Sequence, residues 1–218
     1  MKTRSLLLLF LLAFFSSCIV KSIQPFYIAE ATEYQPHLIG EWTDNKKATW
    51  TVVSFKDMFL EDNKDWAKVS DEDKVAYQKY KDGYFIIRTK NDKESVFMAM
   101  PFKIDEQLFM DFIPFDNEEI SNDLVSQHLL RTHSVAKIDT LESNTINITW
   151  LDESRLTDLF KKDKLKLKHE KVGIDESFVL TATSKELYAF LKKYMKADIE
   201  NKWESSEKYT LTKTNAQP

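Results

Sequence analysis

Few side chains in this sequence are equipped for chemistry, so their spacing can be weighed one at a time. There are four histidines and one cysteine, Cys18. His128 and His133 could begin a metal site, but a separation of five residues suits neither one face of a helix nor one face of a strand, and no thiol is at hand to complete a set. Neutral imidazoles hydrogen-bonded near the start of a strand are the simpler expectation. His169-Glu170 could supply a general base, yet no G-x-S-x-G elbow or cysteine partner accompanies it. Asp111 stands in the apolar run Leu108-Phe109-Met110-Asp111-Phe112-Ile113, where burial would raise its pKa. Alternation sets it with Phe109 and Ile113, opposite Met110 and Phe112, on what is expected to be the wetter face. Asp116, Glu118, Glu119 and Asp123 offer oxygens to calcium without the glycine and terminal glutamate of an EF-hand loop, and read as a solvated loop. The lysines of residues 161–171 form a stripe that could meet phosphate head groups; keeping an edge strand unpaired is the duller and favoured role. These residues set up no catalytic group, metal or cofactor.

Cys18 stands apart because of what precedes it. Residues 1–17 read MKTRSLLLLFLLAFFSS, with Lys2 and Arg4 ahead of an apolar run over residues 6–15 and two serines behind it. A charged start, a short apolar stretch and a small-residue exit form the pattern of a secretory leader. The run is short for a bilayer core, which takes about 20 apolar residues. Phe15-Ser16-Ser17-Cys18 resembles the lipobox of bacterial lipoproteins, with Phe15 where that pattern prefers Leu. The resemblance implies cleavage before Cys18, acyl chains such as palmitate on that cysteine, and a cell-envelope address, lipid-anchored at the periplasmic face or the outer membrane. A plain leader cut near Ser17, leaving an incidental cysteine, is the competing reading. Residues 18–36 carry no periodicity and contain Pro25, and are expected to be a lipidated N-terminus and tether.

The remainder reads as one β-rich globular domain over residues 37–213, with residues 214–218 frayed. A chain of 218 residues that is 43% apolar and 13% aromatic is too rich for disorder, and one cysteine excludes a disulfide framework. With 31 Lys and Arg against 35 Asp and Glu, the net charge of -4 excludes an ordinary basic nucleic-acid binder. Loss of residues 1–17 would take two positive charges with it.

Period-two alternation dominates from Gly40 onward. Val96, Met98, Met100, Phe102 and Ile104 share a face; Ile146, Ile148 and Trp150 share another; Leu165, Leu167 and His169 alternate with Lys164, Lys166 and Lys168. Further strands are expected over residues 48–56, 74–80, 83–90, 107–113, 132–139, 177–182 and 208–213, parted by turns such as Asp82-Gly83 and Asn91-Asp92-Lys93. Thr183-Ser184-Lys185-Glu186 is a capping box, and Leu187, Phe190, Leu191, Tyr194 and Met195 follow at helical spacing. Asp152 caps a shorter helix through Leu156, Leu159 and Phe160. Residues 57–72 read as a long charged loop with a helical turn near Trp66. The fold expected is mainly β (α+β): an antiparallel meander closing into a barrel of about 8–10 strands, with two helices in the C-terminal half.

Gly40-Glu41-Trp42, at the start of the first strand, resembles the short motif shared by lipocalins and related calycin barrels. In that family the Trp closes one end of the barrel beneath an Arg of the last strand, where this sequence offers Lys208 and Lys213. The resemblance implies a barrel able to hold a small apolar ligand. The candidates to line its pocket or close it are Trp42, Trp50, Met98, Met100, Phe102 and Trp150. A second likeness covers roughly residues 83–196. The stretch from Leu129 to Ile138, the Trp150-Leu151-Asp152 turn, Lys168-His169-Glu170 and Leu180-Thr181-Ala182-Thr183 resemble, in that order, a set of bacterial lipoproteins without an assigned activity.

Three functions follow in order of support. The first is a membrane-anchored envelope lipoprotein holding a small apolar or amphipathic ligand in a barrel. The second is a non-enzymatic accessory or scaffold lipoprotein docking a protein partner in the envelope. The third is an envelope enzyme using His133, His169 or Asp111, and spacing brings no two of these together. No nucleic-acid partner is expected.

Overall fold

The computed structural model describes residues 19–115, 128, 130–142, 144–174 and 176–214. Eight antiparallel strands close a barrel: β2 (Gly40–Asp44), β3 (Thr49–Ser54), β4 (Tyr84–Lys90), β5 (Lys93–Ile104), β6 (Gln107–Pro114), β7 (Ser134–Glu142), β8 (Thr145–Trp150) and β11 (Lys208–Lys213). The first seven follow as a meander, and β11 completes the circle by pairing with both β8 and β2. Between β8 and β11 the chain leaves the barrel to form α3 (Glu153–Lys161), β9 (His169–Val172), β10 (Ser177–Leu180) and α4 (Ser184–Lys196). β10 lies between β9 and the short β1 (Lys21–Ser22) in a separate three-stranded sheet.

Turn chemistry fixes the register. Asn91 and Asp92 both take positive φ, 50° and 60°, which the primed two-residue hairpin between Lys90 and Lys93 demands. At the β2–β3 turn, Asp44 accepts the Lys46 and Ala48 amides, each at 2.8 Å. Side-chain alternation then sorts two apolar layers. Trp42, Trp50, Val52, Ile86, Ala99, Met110, Phe112, Ile138, Ile148 and Leu211 form one cluster to which all eight barrel strands contribute, so it fills the lumen. Met100, Phe102, Ile104, Phe109 and Val135 point the other way, into a second cluster with Leu156 of α3 and Leu187, Phe190 and Leu191 of α4. β5 and β6 are thereby covered on both sides, which is why residues 108–112 are buried without a break.

The helices expected from Thr183 and Asp152 form as α4 and α3, and the Thr183–Glu186 capping box closes reciprocally. Both pack outside the barrel wall. Residues 55–80 depart from expectation. They hold α1 (Phe55–Asp62) and α2 (Asp71–Tyr80), joined by a 3-10 turn at Trp66–Lys68. The strand expected at 74–80 is therefore corrected to a helix, and the loop expected at 57–72 is helical at both ends and keeps the turn expected near Trp66. Ser54 and Ser70 cap them, and Phe55, Phe59, Trp66 and Tyr77 pack ring against ring. The lysine stripe is corrected too, since residues 163–168 form no strand and β9 begins only at His169.

The tether is not slack from Ile19 on. Ile19 bridges Asp152, the Val20 amide donates to Leu151, Ser22 exchanges backbone hydrogen bonds with His133, and Ile23 donates to Leu180. Val20 and Phe26 are fully buried. A segment without periodicity can still dock when isolated apolar residues find slots in an existing layer. Cys18 lies outside the described residues.

Candidate functional site

The barrel presents two ends and a lumen. At one end the chain from Tyr34 to Leu38 lies across the opening. Tyr84 stacks on Tyr34, its hydroxyl accepts the Gln35 amide at 2.7 Å and donates to the Gln35 carbonyl at 3.1 Å, and burial pushes its pKa up. Trp42 Nε1 donates to the Leu38 carbonyl at 2.9 Å. Lys213, opposite Trp42 in the β11–β2 register, sets its Nζ 5.2 Å from the Trp42 ring centre and donates to the His37 carbonyl at 3.0 Å. Its aliphatic stem passes over Gly40, where a Cβ would lie 3.2 Å from Lys213 Cε. Gly40, Trp42 and Lys213 of β11 thus form one closure. Burial and the Lys213 charge both lower the His37 pKa.

A polar plug stands at the other end. Asp44 is buried, and its Oδ2 accepts Trp50 Nε1 at 2.9 Å and an Arg88 nitrogen at 3.2 Å. Burial opposes its charge, but the Ala48 and Lys46 amides, Trp50 and Arg88 outweigh that and lower its pKa. Arg88 lies over Trp50 and Tyr209, and Lys46 stands 4.1 Å from the Tyr209 ring centre. Arg88 Nε is buried and has no hydrogen-bond partner among the described residues. The Tyr209 hydroxyl donates to Glu207, and burial together with that carboxylate pushes its pKa up to about 12.

Between the ends, aromatic rings meet one another across the lumen. Trp150 contacts Phe112, Tyr209 and Trp50 at centroid separations of 4.9, 5.8 and 6.4 Å, and Phe97 meets Phe112 edge-on at 6.0 Å. Of the six pocket candidates, Trp42, Trp50 and Trp150 point inward. Met100 and Phe102 do not; they lie in the outer layer, and Met98, half-buried, shares their side of β5. Simple alternation could not tell the two faces of β5 apart, because both are covered.

Asp111 is corrected from the wet face to a buried site, 1% exposed. His133 Nδ1 lies 2.6 Å from its Oδ1, and the Phe26 amide donates to its Oδ2 at 2.8 Å. Burial raises the Asp111 pKa against the pull of His133 and the Phe26 amide. Two groups that sequence spacing kept apart are thus brought together. The N-terminal segment covers them in part: Ser22, beside His133, is fully buried and its hydroxyl donates to the Gln24 carbonyl, while the His133 side chain keeps 16% exposure. The Asp111–His133 pair ties β6 and the start of β7 to the N-terminal segment. His169 packs between Phe160 and Phe178 at 4.2 and 4.8 Å. His128 is exposed, and the Asp116 to Asp123 acidic stretch lies outside the described residues. Among the described residues, no three His, Cys, Asp or Glu side chains converge to hold a metal ion, and no helix is long and apolar enough to cross a membrane.

Sequence reasoning missed a groove of about 1350 Å³ on the outer layer, between α3, residues 162–168 and α4. Leu159, Leu165, Leu167, Phe190, Tyr194 and Ile199 give it an apolar floor, and its wall carries Lys162, Lys164, Lys166 and Lys168 together with the carboxylates of Asp158, Asp163, Glu186, Asp198 and Glu200. The lysine alternation that reads as a strand was the signal for that wall. Comparison with protein-family models, with curated proteins and with solved structures finds no match.

Proposed function

We propose that this chain is a bacterial cell-envelope lipoprotein, anchored by acylated Cys18, whose barrel is a rigid non-enzymatic scaffold for docking a protein partner. The observation that carries this reading over a ligand-holding barrel is the contact of Trp50, Phe112, Trp150 and Tyr209 across the lumen. A lipocalin-like carrier would keep that space open for its ligand. A concave surface lies instead on the outer layer, and because its lysines stand among carboxylates around an apolar floor, its chemistry suits a partner segment that joins apolar residues with groups of both charges. The Gly40, Trp42 and Lys213 closure supports kinship with calycin barrels as an architecture, without the carrier function.

The test is to express the chain with its own leader in a bacterial host and release it gently from membranes. Acyl mass on the N-terminal cysteine peptide, and loss of membrane association in Cys18→Ala, are expected. Native mass spectrometry then separates the two functions. A reproducible small-molecule mass that leaves on denaturation would return the barrel to ligand binding. Its absence, with weakened partner crosslinks when Lys164 and Lys166 are changed to Glu, supports docking.

A further inference from the structure

The outer sheet sets the direction in which the chain leaves the fold. β1 runs parallel to β10, with Lys21 opposite Val179 and Ser22 opposite Leu180. Stepping back from Lys21 to Ile19 therefore leads toward Ser177, the start of β10, and toward the turn that joins β9 to β10. That turn carries Ile174, 107% exposed and the most solvent-accessible large apolar side chain among the described residues. Val172, the last residue of β9, is exposed beside it, and Gly173 bends the chain with φ of 79°. Behind the tip, Lys171 and Glu176 are tied at 2.6 Å, so their charges offset each other.

What precedes Ile19 in the sequence is Cys18 and, before it, the apolar run of residues 6–15. Acyl chains on the cysteine or a retained apolar run would enter a bilayer at the same point. There is no slack between that point and the domain, because Ile19 bridges Asp152 and Val20 is buried. Anchor and hairpin tip therefore meet the same surface.

We propose that Val172 and Ile174 form a membrane-contacting tip that seats in the interfacial layer of the bilayer to which the N-terminus is anchored, and so fixes the orientation of the domain. The inference rests on the anchored reading above. An isoleucine left in water forgoes burial energy that the acyl-chain boundary supplies. The sequence continues with Asp175, and a carboxylate is costly in hydrocarbon, so the contact is shallow. Lys168 of the groove wall adjoins His169, at the end of β9 away from the tip. The groove runs from that end toward Arg155 of α3, one turn from the Asp152 that Ile19 bridges.

The test uses the full chain, purified from a bacterial host and reconstituted with phosphatidylethanolamine–phosphatidylglycerol vesicles. Benzoylphenylalanine replaces Ile174 in one sample and the exposed Val75 of α2 in another. Irradiation is expected to give lipid adducts on the peptide carrying position 174 in several-fold excess over position 75. The same digest reports the mass of the Cys18 peptide. Acylated Cys18 with equal adduct yields at 174 and 75 overturns the tip and leaves the anchor standing. Unmodified Cys18 overturns the anchor, and the 174-to-75 ratio with added vesicles still decides the tip. Protein crosslinks at 174 in place of lipid assign the tip to a protein and overturn the inference as well.

Discussion

Asp111 on β6 and His133, one residue before β7, meet at 2.6 Å beneath the N-terminal segment, whose Phe26 amide closes the other carboxylate oxygen. The pair joins the barrel wall to residues 19–27. Asp111→Ala removes the acceptor of a buried amide and the partner of a histidine. It is expected to cost about 3–5 kcal/mol in urea unfolding. Amide exchange at Phe26 and Val20 should accelerate more than exchange in β2. Equal acceleration in both would mean that the pair does not hold the segment specifically.

The two buried carboxylates titrate with opposite signs. Burial raises Asp111 in the folded state, so its contribution is complete below the unfolded carboxylate value of about 3.9 and fades as pH rises through the folded value. Asp44 is lowered, so its contribution is present above about 3.9 and fades as pH falls through the folded value. Unfolding free energies measured across roughly pH 3 to 7 should lose part of their acid limb in Asp44→Asn. In Asp111→Asn the fall on raising pH should flatten instead. Identical profiles for both variants would contradict the assignment.

Gly40 has φ of 119° and sits beneath the Lys213 stem. Gly40→Ala combines left-handed strain with a contact that must give way, and is expected to cost about 1–3 kcal/mol by thermal unfolding. Adding Lys213→Ala relieves the contact but not the backbone, so the double variant should recover only part of the loss. Full recovery would show that φ at this position carries no penalty.

Trp150 is the hub of the lumen. Trp150→Ala should cost about 3–5 kcal/mol and leave a dry apolar space. The variant is then expected to rise in Tm with added benzene, whereas the native chain does not respond. A native response of equal size would show that the barrel already has room for a ligand.

Where the apolar pattern had one face to satisfy, the sequence could be read directly. β8 and β11 match their expected spans, and the Thr183 box marks the start of α4 to the residue. α2 escaped because DEDKVAYQKY buries no residue and so carries little periodicity; its one signal was Ser70 three residues before Asp73, a reciprocal cap with bonds of 2.7 and 3.1 Å. Asp111, Met100 and Phe102 were misplaced for a different reason. Alternation says which residues share a face but not what covers it, and the outer face of β5 and β6 is covered by α4 and by the N-terminal segment. The Asp111–His133 contact was out of reach for the same reason, since it depends on two strands and a distant segment arriving together.

The closing strand β11 ends at Lys213, and β1, the first strand described, finds its neighbour in β10 only at Val179 and Leu180. The strand partners of β1 are thus synthesised more than a hundred and fifty positions later. Pairings of such long sequence separation form slowly. The barrel, too, stays open until β11 has been made, because that strand alone joins β8 to β2.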